Sequence, residues 1–173
     1  NHEIDFKAPW PRKPMTSLVQ EKTGIDFMKI LDAGDAATAA EKVGVPIKPG
    51  SSWGEVVEAV FADKVEGGLI QPVHVIDLPK DISPLAKVHR ENPLLTERFE
   101  TYVNAWEVAN AFSELTDPFD QFERFKKQVE AREKGNEEAQ MMDEDFVEAL
   151  EYGLPPTGGL GIGIDRLVML LTN

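Results

Sequence analysis

The sequence predicts an α+β fold, a mixed and mainly antiparallel sheet with flanking helices and a small helical insertion. Three observations carry that expectation. Residues 98–103 and 105–115 are two adjoining strand-like runs, in which successive side chains would take opposite faces. Residues 15–65 instead read as three short helices punctuated by Gly24, Gly44 and Pro46, the last with apolar residues at helical spacing. At the end of the chain glycine alternates with apolar residues through Gly159, Gly161 and Gly163, and Asp165-Arg166 then opens an unbroken apolar helix pattern.

Taken in order, Pro9, Pro11 and Pro14 mark the start as an extended arm. A short helix is expected over 15–22, stopped by Gly24, and a second over 35–43, ended by Gly44 and Pro46. Ser52 followed by Glu55 is a capping-box pattern for a third. Its apolar face would be Val56, Val57, Val60, Phe61 and Val65. Residues from about 15 to 70 thus form the helical insertion, in which no residue signals chemistry, and 71–173 form the sheet with the candidate site. Residues 73–78 read as a buried strand. Asp117-Pro118 starts another helix, with Phe119, Phe122, Phe125 and Val129 as a core-facing stripe. Asp143 caps the next, which carries Phe146, Val147 and Leu150 and ends at Gly153.

The composition narrows the function. A chain of 173 residues with 42% apolar content can bury one substantial core and reads as a single domain. No apolar run reaches about 18 residues, and no leader is visible, so neither a membrane span nor a signal peptide is expected. The absence of cysteine excludes disulfides and thiol metal sites and fits a reducing cytoplasm. His2, His74 and His89 are too scattered for a zinc site. The net charge of −13 is a poor surface for phosphate backbones. Much of the acid lies in 117–151, twelve Asp or Glu against five Lys or Arg, and reads as a solvated face.

Glu100 and Glu107 stand out because both lie in strand-like sequence. A turn at Val103-Asn104 would set them directly opposite, with Cβ atoms about 5 Å apart, where unscreened like charges are destabilising. A magnesium ion, which takes one or two carboxylates plus nucleotide phosphates, would turn that repulsion into a site. A turn at Asn104-Ala105 would pair Tyr102 with Glu107 instead, and a solvent-facing sheet edge is the alternative to a metal site. Asn110, Phe112 and Glu114 recur at period two and share a face. An amide, a ring and a carboxylate in a row suit an aliphatic stem with a cationic head, which is a lysine side chain. Glu107 has the opposite parity and joins that face only across a bulge or twist. Ser83, Lys87 and His89 lack the spacing of a triad and read as a structural loop near the site.

Glycine on one face of a strand suits something flat lying against the backbone, and Arg166 beyond it has the donor fork to grip a phosphate. The run is neither a dinucleotide fingerprint nor a P-loop. Gly153-Leu154-Pro155-Pro156-Thr157-Gly158-Gly159-Leu160-Gly161-Ile162-Gly163-Ile164-Asp165-Arg166-Leu167 closely resembles motif 3 of class II aminoacyl-tRNA synthetases, in the form found in lysyl-tRNA synthetases. Asp81-Ile82-Ser83-Pro84-Leu85-Ala86-Lys87 and Trp106-Glu107-Val108-Ala109-Asn110-Ala111-Phe112-Ser113-Glu114-Leu115-Thr116-Asp117-Pro118 extend the resemblance over essentially the whole chain. Ala111 replaces a glycine often found in that run.

The resemblance implies an ATP-dependent ligase: lysine and ATP give lysyl-adenylate, and the lysyl group then passes to tRNA(Lys), with no covalent enzyme intermediate. Arg166 would be the catalytic residue and bind the ATP phosphates. Gly159, Gly161 and Gly163 would form one wall of the adenine and amino-acid pocket. Glu100 and Glu107 would hold magnesium, Glu107 also belonging to the ATP site, while Asn110, Phe112 and Glu114 would bind lysine. Motifs 1 and 2 have no counterpart in this sequence, so the resemblance marks residues 1–173 as part of a catalytic domain, inactive alone. The setting it implies is a cytoplasmic homodimer. Two alternatives are a paralogue that attaches lysine to a protein and a binding module that has lost the chemistry.

Overall fold

The computed structural model describes residues 2–133, 135–136 and 139–172. A five-stranded sheet runs in the order β1 (Arg12–Pro14), β2 (Val73–Ile76), β3 (Arg98–Val103), β4 (Trp106–Ser113), β5 (Gly158–Ile162). The first pair is parallel and the other three are antiparallel. The proline-rich start is therefore more than an arm, because its last residues form the edge strand β1. Prolines are tolerated there since an edge strand leaves one side of its backbone unpaired. The preceding residues lie against the sheet through an aromatic series: Phe6 on Trp10, Trp10 on His74 at 5.5 Å, and His74 edge-on to Phe99 at 5.6 Å.

Helices α1 (Met15–Thr23), α2 (Ala33–Lys42) and α3 (Trp53–Lys64) follow local sequence closely. Gly24 ends α1 in the left-handed conformation at φ 78°, a geometry glycine adopts without a Cβ penalty. Asp32 caps α2 through the backbone N–H groups of Gly34 and Asp35. At α3 the capping box is complete, Ser52 accepting from the Glu55 N–H and Glu55 from the Ser52 N–H. Val56, Val57, Val60, Phe61 and Val65 are buried as the helical spacing predicts. They join Val19, Phe27, Ala36 and Ala40 in one core that includes Val73, Val75 and Tyr102 of the sheet. The Phe61 and Tyr102 rings meet edge to face at 5.7 Å. This helical layer thus covers one face of the sheet over β2 and β3.

Helices α4 (Pro118–Glu133) and α5 (Glu144–Glu151) meet through Phe125 and Phe146, ring centres 6.0 Å apart. The core stripe expected on α4 needs correction. Phe125 is buried, but Phe119 is 80% exposed and Phe122 is exposed too. The buried side runs through Gln121, Arg124 and Phe125, at the i, i+3, i+4 spacing of one helical face. Two of those three are polar because they clamp a loop: Gln121 donates to Pro84 O, and Arg124 to Ser83 O and Ala86 O. Beyond β5, α6 (Ile164–Thr172) has no buried residue among those described.

Candidate active site

The turn between β3 and β4 decides the geometry of the site. Asn104 and Ala105 have φ of 55° and 61°, the signature of a two-residue type I′ turn that matches the twist of a hairpin. Tyr102 consequently pairs with Glu107, and Val103 with Trp106. The direct opposition of Glu100 and Glu107 expected from a turn one residue earlier does not occur; Glu100 faces Asn110.

Between those pairs the register shifts, since Thr101 is opposite Ala109. Val108 is the extra residue on β4, a β-bulge, and one inserted residue reverses the parity of everything beyond it. Glu107, Asn110 and Phe112 therefore share the face of Tyr102, Glu100 and Arg98. On β5 the partners of Asn110 and Phe112 are Gly161 and Gly159, which fall on that face as well. It is the face that α1–α3 cover over β2 and β3, and over β4 and β5 it is left to Glu107, Asn110, the Phe112 ring and bare glycine.

Glu100 is almost buried at 8% exposure and is fully engaged. Arg98 donates to its Oε1 at 2.7 Å and the Tyr102 hydroxyl to its Oε2 at 2.8 Å. Each oxygen keeps a lone pair. Burial, reinforced by the charge of Glu100, pushes the Glu107 carboxyl above the usual carboxylate range, against the opposing pull of Arg166 and Arg98. Glu66, just after α3, is raised for the same two reasons, burial first and Glu100 second. Burial and the same carboxylate also raise the Tyr102 phenol well beyond its ordinary range. Glu66, Glu100 and Tyr102 line one cleft of about 850 Å³.

Arg166 sits in the first turn of α6 with its side chain half exposed. One Nη1 donates to the Glu107 carbonyl oxygen, and the same nitrogen is 3.8 Å from the Glu107 carboxylate. Among the described residues no other acceptor engages the rest of the fork. Gly163 precedes the helix, its N–H donating to Val108 O and its Cα close to the Arg166 stem. A Cβ there would meet that stem at an ordinary 3.6 Å.

Glu114 continues past β4, bridged to Ala86, and burial raises its carboxyl. It lies over Gly159, where any added Cβ would collide with Glu114 Oε1. Any residue with a Cβ at 159 would have to displace the end of the Glu114 side chain from this position. Gly161 is different, since a Cβ there would meet only Asn110 O at an ordinary 3.7 Å. Nothing among the described residues demands glycine at 161.

The carboxylate set fits a hard cation in a particular way. Among the described residues no three His, Asp or Glu side chains form a ready cage. Burial first and the charge of Glu100 second raise Glu107, and a divalent ion beside the two carboxylates would offset that repulsion. Sequence reasoning missed two participants. Glu66 lies in the insertion read as chemically empty, in a stretch without periodicity. Arg98, read only as the start of a strand, binds Glu100, Asn110 and the 82–83 loop together. Ser83 proves a loop-holding residue, its buried hydroxyl accepting from Arg98.

An alternating-glycine strand leading into a helical arginine is the arrangement expected of class II aminoacyl-tRNA synthetases. The chain belongs to that family: the sequence model of the tRNA synthetases class II (D, K and N) matches residues 1–173. Among individual proteins, it is 59% identical over 170 residues to the lysine–tRNA ligase of Carboxydothermus hydrogenoformans, covering 98% of this chain and 35% of that protein. The corresponding enzyme of Pelotomaculum thermopropionicum is 56% identical over 173 residues, and that of Sinorhizobium medicae 52% over 171. The chain spans about a third of the length of these relatives.

Proposed function

We propose that the chain is the lysine-holding and phosphate-gripping part of a lysine–tRNA ligase, which activates lysine with ATP and transfers it to tRNA(Lys). The observation that carries this is the single sheet face joining Arg166, Glu107, Glu100, Asn110, Phe112 and the Gly159–Gly161 floor across the Val108 bulge. Identity of 52–59% to lysine–tRNA ligases supports the choice of amino acid.

In this reading Glu114 meets the lysine ammonium in a charge-assisted bond, and its raised, half-buried carboxyl gains its proper counter-charge when the substrate enters. Phe112 packs the methylene stem. The lysine carboxylate attacks the ATP α-phosphorus, that bond forming as the bond to the pyrophosphate oxygen breaks. Arg166 binds the phosphate oxygens with the part of its fork that Glu107 leaves open. Glu100 and Glu107 would hold Mg²⁺, which when bound supplies positive charge beside the phosphates. The rest is positioning and fixed charge rather than covalent catalysis. A cytoplasmic homodimer is the proposed setting; no helix among the described residues is long and apolar enough to cross a membrane.

The test is lysine-dependent ATP–pyrophosphate exchange by a complete ligase bearing this segment. Glu114→Gln should raise the half-saturating lysine concentration by about 30-fold or more, equivalent to roughly 2 kcal/mol for an ammonium losing its partner. The ATP requirement should stay unchanged. An unaltered lysine requirement would remove Glu114 from the pocket.

A further inference from the structure

Arg98 is the point where the two halves of the site meet. Its Nε donates to Asn110 Oδ1 at 3.1 Å and its Nη2 to Glu100 Oε1 at 2.7 Å. Its Nη1 donates to Ile82 O at 2.9 Å and to Ser83 Oγ at 3.0 Å. Four of the five N–H groups of one planar guanidinium are thereby used. The anchor behind it is itself held, since Arg124 of α4 donates to Ser83 O and Ala86 O and is locked by Asp120.

The chemistry of the fork sets the polarity of both neighbours. Arginine only donates, so Asn110 must turn its amide oxygen to Arg98, which leaves the amide NH₂ as the donor presented elsewhere. Glu100 takes Arg98 on one oxygen and Tyr102 on the other, which fixes the plane of the carboxylate and the direction of its remaining lone pairs. One side chain therefore orients the amide assigned to lysine and the carboxylate assigned to the cation. We infer, resting on the lysine–tRNA ligase reading above, that Arg98 is a positioning residue that couples the lysine subsite to the magnesium–nucleotide subsite. A lysine at this position keeps the charge but lacks the fork, so it cannot hold Asn110, Glu100 and Ser83 together.

The measurement is pyrophosphate exchange by a complete ligase bearing this segment, titrated separately with lysine and with Mg²⁺, for the parent, Arg98→Lys and Arg98→Met. Loss of a hydrogen-bonding partner behind a metal-ligating carboxylate typically costs 10–100-fold in metal affinity. Arg98→Lys should accordingly raise the half-saturating Mg²⁺ about tenfold or more, and half-saturating lysine should rise with it. A merely structural arginine would lower the maximal rate through a smaller active fraction and move neither constant. Should Arg98→Met fail to fold, the charge-conserving Arg98→Lys decides alone. Movement of only one constant, or of neither, in Arg98→Lys overturns the coupling while leaving the functional reading in place. A parent ligase without lysine-dependent exchange overturns both.

Discussion

The two ends of the sheet are built on opposite terms. Over β1–β3, helices α1–α3 enclose a dry core in which Val19, Phe27, Val56, Val57 and Val60 have no exposed surface. At the other end, β5 is an open edge and α6 is apolar yet uncovered: Leu160 and Ile164 are 64% exposed and Leu171 is 68% exposed. Glycines fill the site face of that edge. The first region satisfies its own hydrophobic demand, and the second leaves apolar surface exposed. The site straddles the boundary, its carboxylates anchored by the packed half and its glycine floor offered by the unfinished one.

The largest expected effect sharpens this contrast. On the proposed reading residues 1–173 supply one wall of an ATP site, and each lost preorganised donor typically costs about 10²–10³ in rate. The isolated chain should show no lysine-dependent pyrophosphate exchange and at best weak ATP binding in calorimetry. Its open β5 edge should drive self-association, visible by sedimentation and relieved by Leu160→Lys, because a charged edge resists strand pairing. Robust adenylate formation by the isolated chain would break the comparison and require a second phosphate-binding element within it.

A smaller effect compares the two apolar populations directly. Phe61→Ala empties a packed site and should cost about 3–5 kcal/mol in denaturant unfolding. Ile164→Ala in the same chain should fall within about 0.5 kcal/mol, as surface substitutions do. Equal losses would mean that α6 is buried in solution.

The smallest effect is a pH dependence. The folded state holds the Glu107 proton more tightly than a free carboxyl does, whose ordinary pKa is 4.5. Its protonated form is therefore favoured by folding, a contribution present below pH 4.5 and lost as pH rises through the folded value. Glu107→Gln should thus raise the melting midpoint at pH 7 relative to the parent and leave it nearly unchanged at pH 4. Were the gain equal at both values, the raised carboxyl would not be its source.

Local chemistry made most helices and the packed core legible from sequence. Ser52 with Glu55 marked α3, Asp143 marked α5, and the valine spacing marked the core, because caps and periodicity act within a few residues. The site residues Asn110 and Phe112 were recognisable as one stripe for the same reason. What sequence did not determine was register. A bulge of this kind needs no glycine, so Val108 carries no mark, and the choice between two adjacent turns rested on positive φ at Asn104 and Ala105, which no pattern announces. Phe119 and Phe122 misled because an apolar spacing says nothing of whether a partner is present to bury it. Glu66 and Arg98 depend on contacts across the fold, Arg98 reaching residues 12 and 15 positions away.

The central claim is that the Val108 bulge gathers Glu100 and Glu107 on one face as a cation site completed by nucleotide. Its most direct test is Mg²⁺ titration of lysine-dependent pyrophosphate exchange in a complete ligase bearing this segment, with Glu100→Ala and Glu107→Ala. The account predicts that either change abolishes exchange and that excess Mg²⁺ does not restore it. Full activity of both variants at high Mg²⁺ would contradict it and make the pair structural.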